Sequence, residues 1–181
     1  MQKSEKTVAQ DNGSQKNCGF RQLNLEPVSV IILEKSEIFR QALTGVLRAF
    51  GVRDIRFSDD PEAALELMFK RPADIVFSDW SPSLDGILFL NRIRRKSNET
   101  AQYTPVIMFS AYTDPKYIAT ARDSGATEYV AKPFTTQTIY SRLKAVIERQ
   151  RSFVSVADFF GPDRRRQLVS VGNYDRRQMA Q

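Results

Sequence analysis

From Val28 onward, short β-branched runs alternate with longer segments whose apolar residues recur every three or four positions. "VSVIILE" has the texture of a strand buried on both faces. Ile38, Phe39, Ala42, Leu43, Val46, Leu47 and Phe50 then repeat at helical spacing and stop at Gly51, a plausible C-terminal cap. "DIRFS" is a weaker strand, and "DDPEAALELMFK" opens with acid-then-proline, as a helix does. "ADIVFSD" is a strand that ends on Asp79, followed by a helix from Gly86 to Arg95. The closing Arg92, Arg94, Arg95 and Lys96 suit the negative end of that helix. "TPVIMFS" is a strand, Asp114 to Asp123 a shorter helix and "TEYVA" a strand. The last helix runs from Thr135 to about Arg151, with Ile139, Leu143, Val146 and Ile147 on one face. Five strand–helix units predict an α/β fold, a parallel sheet with helices on both faces.

The pattern fails at both ends. Residues 1–26 are polar and read as a disordered arm, unable to bury enough surface to offset its ordering entropy. Residues 27–151 form the domain. Residues 152–181 read as a flexible tail whose arginines fall in two similar pieces, "GPDRRRQ" and "NYDRRQ". Arginine forks beside Phe159, Phe160 and Tyr174 could grip phosphates or an acidic protein surface. The tail has neither the length nor the periodicity of a helix-turn-helix.

Composition narrows the chemistry. The 181 residues contain no histidine, which removes Ser-His and Cys-His pairs and imidazole metal sites. A lone Cys18 leaves no internal disulfide and fits a cytoplasmic location. No run reaches the roughly 18 apolar residues of a membrane span, and the first twenty residues do not resemble a secretory signal. A net charge of +6 permits an acidic partner or nucleic acid without choosing between them.

In a doubly wound sheet, ligands sit beyond the carboxyl ends of the strands. Those ends carry Glu34 and Lys35, Asp79, Ser110 and Lys132. The segments "VIILEKSEIFR", "IVFSDWSPSLDG", "PVIMFSAY" and "GATEYVAKPF" closely resemble the receiver domain of two-component response regulators, most nearly the chemotaxis type. The resemblance implies a flavodoxin-like sheet of strand order 2-1-3-4-5. It implies Asp79 as phosphate acceptor, and Ser110 and Lys132 as partners of the bound phosphoryl group. It also implies a cis Lys132–Pro133 bond, and Ser110 and Tyr129 as switch residues. Mg2+ would be held by Glu34, Asp79 and the Ser81 carbonyl. Partners would be a histidine kinase or phosphotransfer protein upstream, and a protein target on the last strand and helices or the tail. Such a chain is a signalling module and not an enzyme. In-line phosphoryl transfer calls for these residue types independently: a carboxylate nucleophile, with fixed positive charge and donors around the equatorial oxygens.

Two positions depart from the family pattern. Lys35 stands where a second acid is usual, and an ammonium cannot ligate a hard cation. "DWSPSLDG" is one residue short, and Pro82 pushes Ser81 toward extended geometry. These departures suggest that Lys35 pairs with Asp79 in place of the metal. Alternative readings are therefore a degenerate receiver acting as a phosphorylation-independent adaptor, or nucleic-acid binding through the basic tail.

Overall fold

The protein is described by a computed structural model covering residues 23–95, 100–156 and 159–164. The predicted alternation is present: β1 (Ser29–Leu33), α1 (Glu37–Ala49), β2 (Asp54–Ser58), α2 (Pro61–Lys70), β3 (Ile75–Trp80), α3 (Gly86–Arg95), β4 (Val106–Ser110), α4 (Pro115–Asp123), β5 (Glu128–Ala131) and α5 (Thr136–Glu148). The five strands form one sheet of order β2-β1-β3-β4-β5, with every pairing parallel.

Residue parity along each strand divides the interior into two cores. Val30, Ile32, Ile75, Phe77, Ile107, Phe109 and Val130 pack with Leu43 and Leu47 of α1 and Ile139, Leu143 and Val146 of α5. The intervening Ile31, Leu33, Val76, Val106 and Met108 pack with Ala64, Leu65 and Met68 of α2, Phe89, Leu90 and Ile93 of α3, and Ala121 of α4. Burial on both faces explains why these strands are continuous apolar runs. Capping side chains mark the helix starts. Asp60, Asp114 and Thr135 each accept a backbone N–H from the first turn of the helix they precede. Gly51, at φ +96°, takes the left-handed position just beyond α1.

The ends of the chain depart from the sequence expectation. Leu25, inside the expected arm, is buried beside Val30 and Leu43. Past α5, within the expected tail, β6 (Phe153–Val156) and β7 (Phe159–Pro162) pair antiparallel. This hairpin docks by backbone contact: a Cβ added to Gly161 would lie 2.9 Å from the Cα of Gly125, which itself has φ +95°. Phe153 and Phe160 pack edge-on against Tyr103, which belongs to a short 3-10 turn (Ala101–Tyr103) that no periodicity announced. Residues 1–22 of the arm and 165–181 of the tail, including the second arginine piece, lie outside the described residues.

Candidate functional site

The register brings the predicted residues to one rim. Asp79 lies opposite Phe109, Trp80 opposite Ser110, and Ser110 opposite Ala131, while Glu34 and Lys132 directly follow β1 and β5. Lys132 is the hub. Its Nζ donates to Glu34 Oε2 at 2.5 Å and to Asp79 Oδ1 at 2.7 Å. All three side chains are almost fully enclosed, at 7, 2 and 3% exposure. The same ammonium sits 4.4 Å from the ring centroids of both Phe39 and Phe109. Two opposite charges and two aromatic rings thus fix one cation in a nearly dry pocket. The Lys132–Pro133 bond is cis.

Glu34 has a second task. Its Oε1 accepts the backbone N–H of Ser36, so one carboxylate serves both the start of α1 and Lys132.

Lys35 does not pair with Asp79. Its Nζ donates to the carbonyl of Ser83, 2.7 Å away, and Lys132 takes Asp79 instead. Parity gives the reason. Glu34 shares the side of Val30 and Ile32, Asp79 that of Ile75 and Phe77, and Lys132 that of Val130. Lys35 falls on the opposite side, toward the loop that leads into α3.

Ser110 is also on that other side. Its hydroxyl donates to the Trp80 carbonyl at 2.5 Å and accepts the Tyr112 N–H at 3.1 Å. Tyr129 donates to the Tyr112 carbonyl at 2.6 Å. Burial is the main cause raising its phenol pKa above the ordinary tyrosine value, with the negative charge of Asp79 a smaller contribution. Trp80, Tyr112 and Tyr117 form an aromatic cluster against this loop, the two tyrosines stacked at 4.3 Å.

The shortened loop is a tight turn in which Ser81 and Leu84 exchange both backbone hydrogen bonds, N–H to O=C at 3.0 and 3.1 Å. Asp85 then caps α3, its Oδ1 accepting the N–H groups of Ile87 and Leu88. Gly86 has to be glycine, since a Cβ there would stand 2.1 Å from the Asp79 carbonyl oxygen.

These residues do not fit Mg2+. Its few protein ligands should be free carboxylates and carbonyls in near-octahedral array. Here Lys132 bridges both carboxylates, a second ammonium replaces the second acid, and the Ser81 carbonyl accepts the Leu84 N–H. Among the described residues, no group of three acidic, cysteine or histidine side chains is placed to hold a metal.

Comparison with known proteins agrees with this architecture. Residues 30–144 match the model of the response regulator receiver domain. The chain is 30% identical over 123 residues to chemotaxis protein CheY-3 of Vibrio cholerae, covering 67% of this chain and 93% of that protein. It is 28% identical to chemotaxis protein CheY of Pseudomonas aeruginosa, covering 67% and 98%. Among solved structures it resembles a candidate response regulator from Chloroflexus aurantiacus, with TM-score 0.62, 27% identity and coverage of 68% and 99%. It also resembles CheY4 of Vibrio cholerae, with TM-score 0.59, 26% identity and coverage of 66% and 98%.

Proposed function

Because this chain belongs to the response regulator receiver family, we propose that it is a cytoplasmic two-component signalling module that accepts a phosphoryl group on Asp79 and acts by binding another protein. The observation that carries the reading is the Asp79 carboxylate held at the rim of the sheet by the buried ammonium of Lys132.

The donor is a phosphohistidine of a histidine kinase or phosphotransfer protein. An Asp79 oxygen forms the new bond to phosphorus as the phosphorus–nitrogen bond breaks, and the imidazole keeps the bonding pair. Lys132 offsets the charge on the phosphoryl oxygens. Ser110 supplies a hydroxyl once it leaves the Trp80 carbonyl, and that shift reaches Tyr129 through the shared partner Tyr112. The target binds the surface formed by α4, β5 and α5.

Incubation with a small phosphodonor, followed by intact mass, tests the reading. One phosphoryl group should add to the wild type and none to Asp79→Asn. A wild type that stays unmodified favours the second reading, a binding adaptor. The observation on that side is that Lys132 already closes the pocket between Glu34 and Asp79.

A further inference from the structure

The rim carries a second lysine whose contacts are unlike those of the first. Lys35 is exposed and leaves the sheet toward the loop between β3 and α3, where its Nζ donates to the Ser83 carbonyl. That loop follows β3 directly and ends where Gly86, the first residue of α3, rests against the backbone carbonyl of Asp79. Lys35 thus ties the end of β1 to the segment that leaves the acceptor strand. Glu34 and Asp79 share the ammonium of Lys132, and Lys35, next to Glu34 in the chain, adds a second ammonium at the same rim.

We propose that Lys35 is a built-in cation of this pocket. It ties the end of β1 to a backbone carbonyl of the β3–α3 loop and places a second positive charge at the mouth, so that Asp79 takes its phosphoryl group without a divalent cation. The inference rests on Asp79 as the acceptor and adds how that site is charged and regulated: its occupancy does not follow Mg2+ concentration. Converting a carboxylate to an acyl phosphate adds one negative charge. Two ammonium groups leave the modified pocket with one negative charge in excess, where Lys132 alone would leave two. With phosphoramidate as donor, whose nitrogen is already protonated, the step balances without an added acid. The Asp79 oxygen–phosphorus bond forms, the phosphorus–nitrogen bond breaks, and the nitrogen keeps the electron pair and departs as ammonia.

The test uses the full chain, phosphoramidate, and either a chelator or millimolar Mg2+, read by intact mass. A parallel Mg2+ titration follows the emission of Trp80, the sole tryptophan and the neighbour of Asp79. The expected result is equal labelling rates with chelator and with Mg2+, and flat Trp80 emission across the titration. Lys35→Asp should acquire a saturable Trp80 response and a labelling rate that Mg2+ raises. Lys35→Ala, which cuts the tie without adding an acid, should label roughly tenfold more slowly in chelator, the effect of one partly screened charge near the reacting group. Wild-type labelling abolished by chelator, a saturable wild-type Trp80 response lost in Asp79→Asn, or an unchanged rate in Lys35→Ala would overturn the proposal while leaving Asp79 as acceptor. No labelling under either condition would instead remove the acceptor reading, and this proposal with it.

Discussion

At the rim of the sheet, Lys132 faces Glu34 and Asp79 at once. Its ammonium is the shared counter-charge of two enclosed carboxylates, so removing it leaves two buried negative charges 2.5 and 2.7 Å from an emptied position. Breaking a buried ion pair from one side costs about 3–5 kcal/mol. Lys132→Met should lower unfolding stability in urea by that order at neutral pH, and adding Asp79→Asn should recover part of the loss. An additive double mutant would show that the carboxylate and the ammonium do not interact. Tyr129 gives a pH prediction of its own. Its folded pKa is raised, chiefly by burial, so the neutral phenol is favoured in the fold. The associated stability is complete below the unfolded tyrosine value near 10 and declines as pH rises through the folded pKa. An alkaline denaturation series should show that decline in the wild type and a smaller one in Tyr129→Phe. That Glu34, Asp79, Ser110 and Lys132 come to one rim was legible because each stands at a predicted strand end. Which lysine would take Asp79 was not decided by residue type. Parity held that information: counting in twos from Val30 and Val130 puts Glu34 and Lys132 on the Asp79 side and Lys35 on the other.

At the scale of elements, long and strongly patterned segments were readable, and contacts made by backbone and by buried charge were not. β1, β3 and β4 announce themselves as β-branched runs because both their faces are covered. β6 and β7 were read as tail because their signal is two short apolar pairs beside Gly161 and Pro162. Beneath the hairpin lies Arg94. The sequence presented it as one of several cations suited to the end of α3, but it is buried. Its guanidinium donates to the carbonyls of Gly125, Gln102 and Thr104 at 2.8 to 3.1 Å and lies 5.2 Å from the Phe153 ring centroid. Burial pushes its pKa down to about 9, which leaves it charged at neutral pH. One side chain thus joins α3, the 3-10 turn, the loop before β5 and the hairpin. Arg94→Met keeps much of the apolar stem but leaves several buried carbonyls unpaired, at roughly 1–3 kcal/mol for each group left without a partner. The expected outcome is a lower urea midpoint together with faster amide exchange in β6 and β7. Protection that stays at wild-type levels in the hairpin would remove Arg94 as its anchor.

Across the whole molecule, the two unusual features sit at opposite ends of the sheet. Asp79, Ser110 and Lys132 stand at the carboxyl ends of β3, β4 and β5. The hairpin packs on Tyr103 and Gly125, which precede the starts of β4 and β5. A five-residue strand such as β4 separates the two ends by about 13–17 Å at 3.3 Å per residue. The space between is filled by close-packed Val106, Met108, Ile107 and Phe109, a core that switches between discrete packings and does not deform continuously. The matched receiver segment ends at residue 144, so the hairpin lies outside the part shared with the family. It extends the core at the end of the sheet opposite Asp79. Removing residues 152–181 should therefore lower the urea midpoint, since Arg94, Tyr103 and Gly125 lose their cover, while the rate of phosphoryl addition to Asp79 stays the same. If truncation changes that rate while Asp79→Asn still blocks addition, the two ends are coupled. The path to examine would then be α4, whose Asp123 pairs with Arg164 beyond the hairpin and whose Tyr117 stacks on Tyr112 beside Ser110.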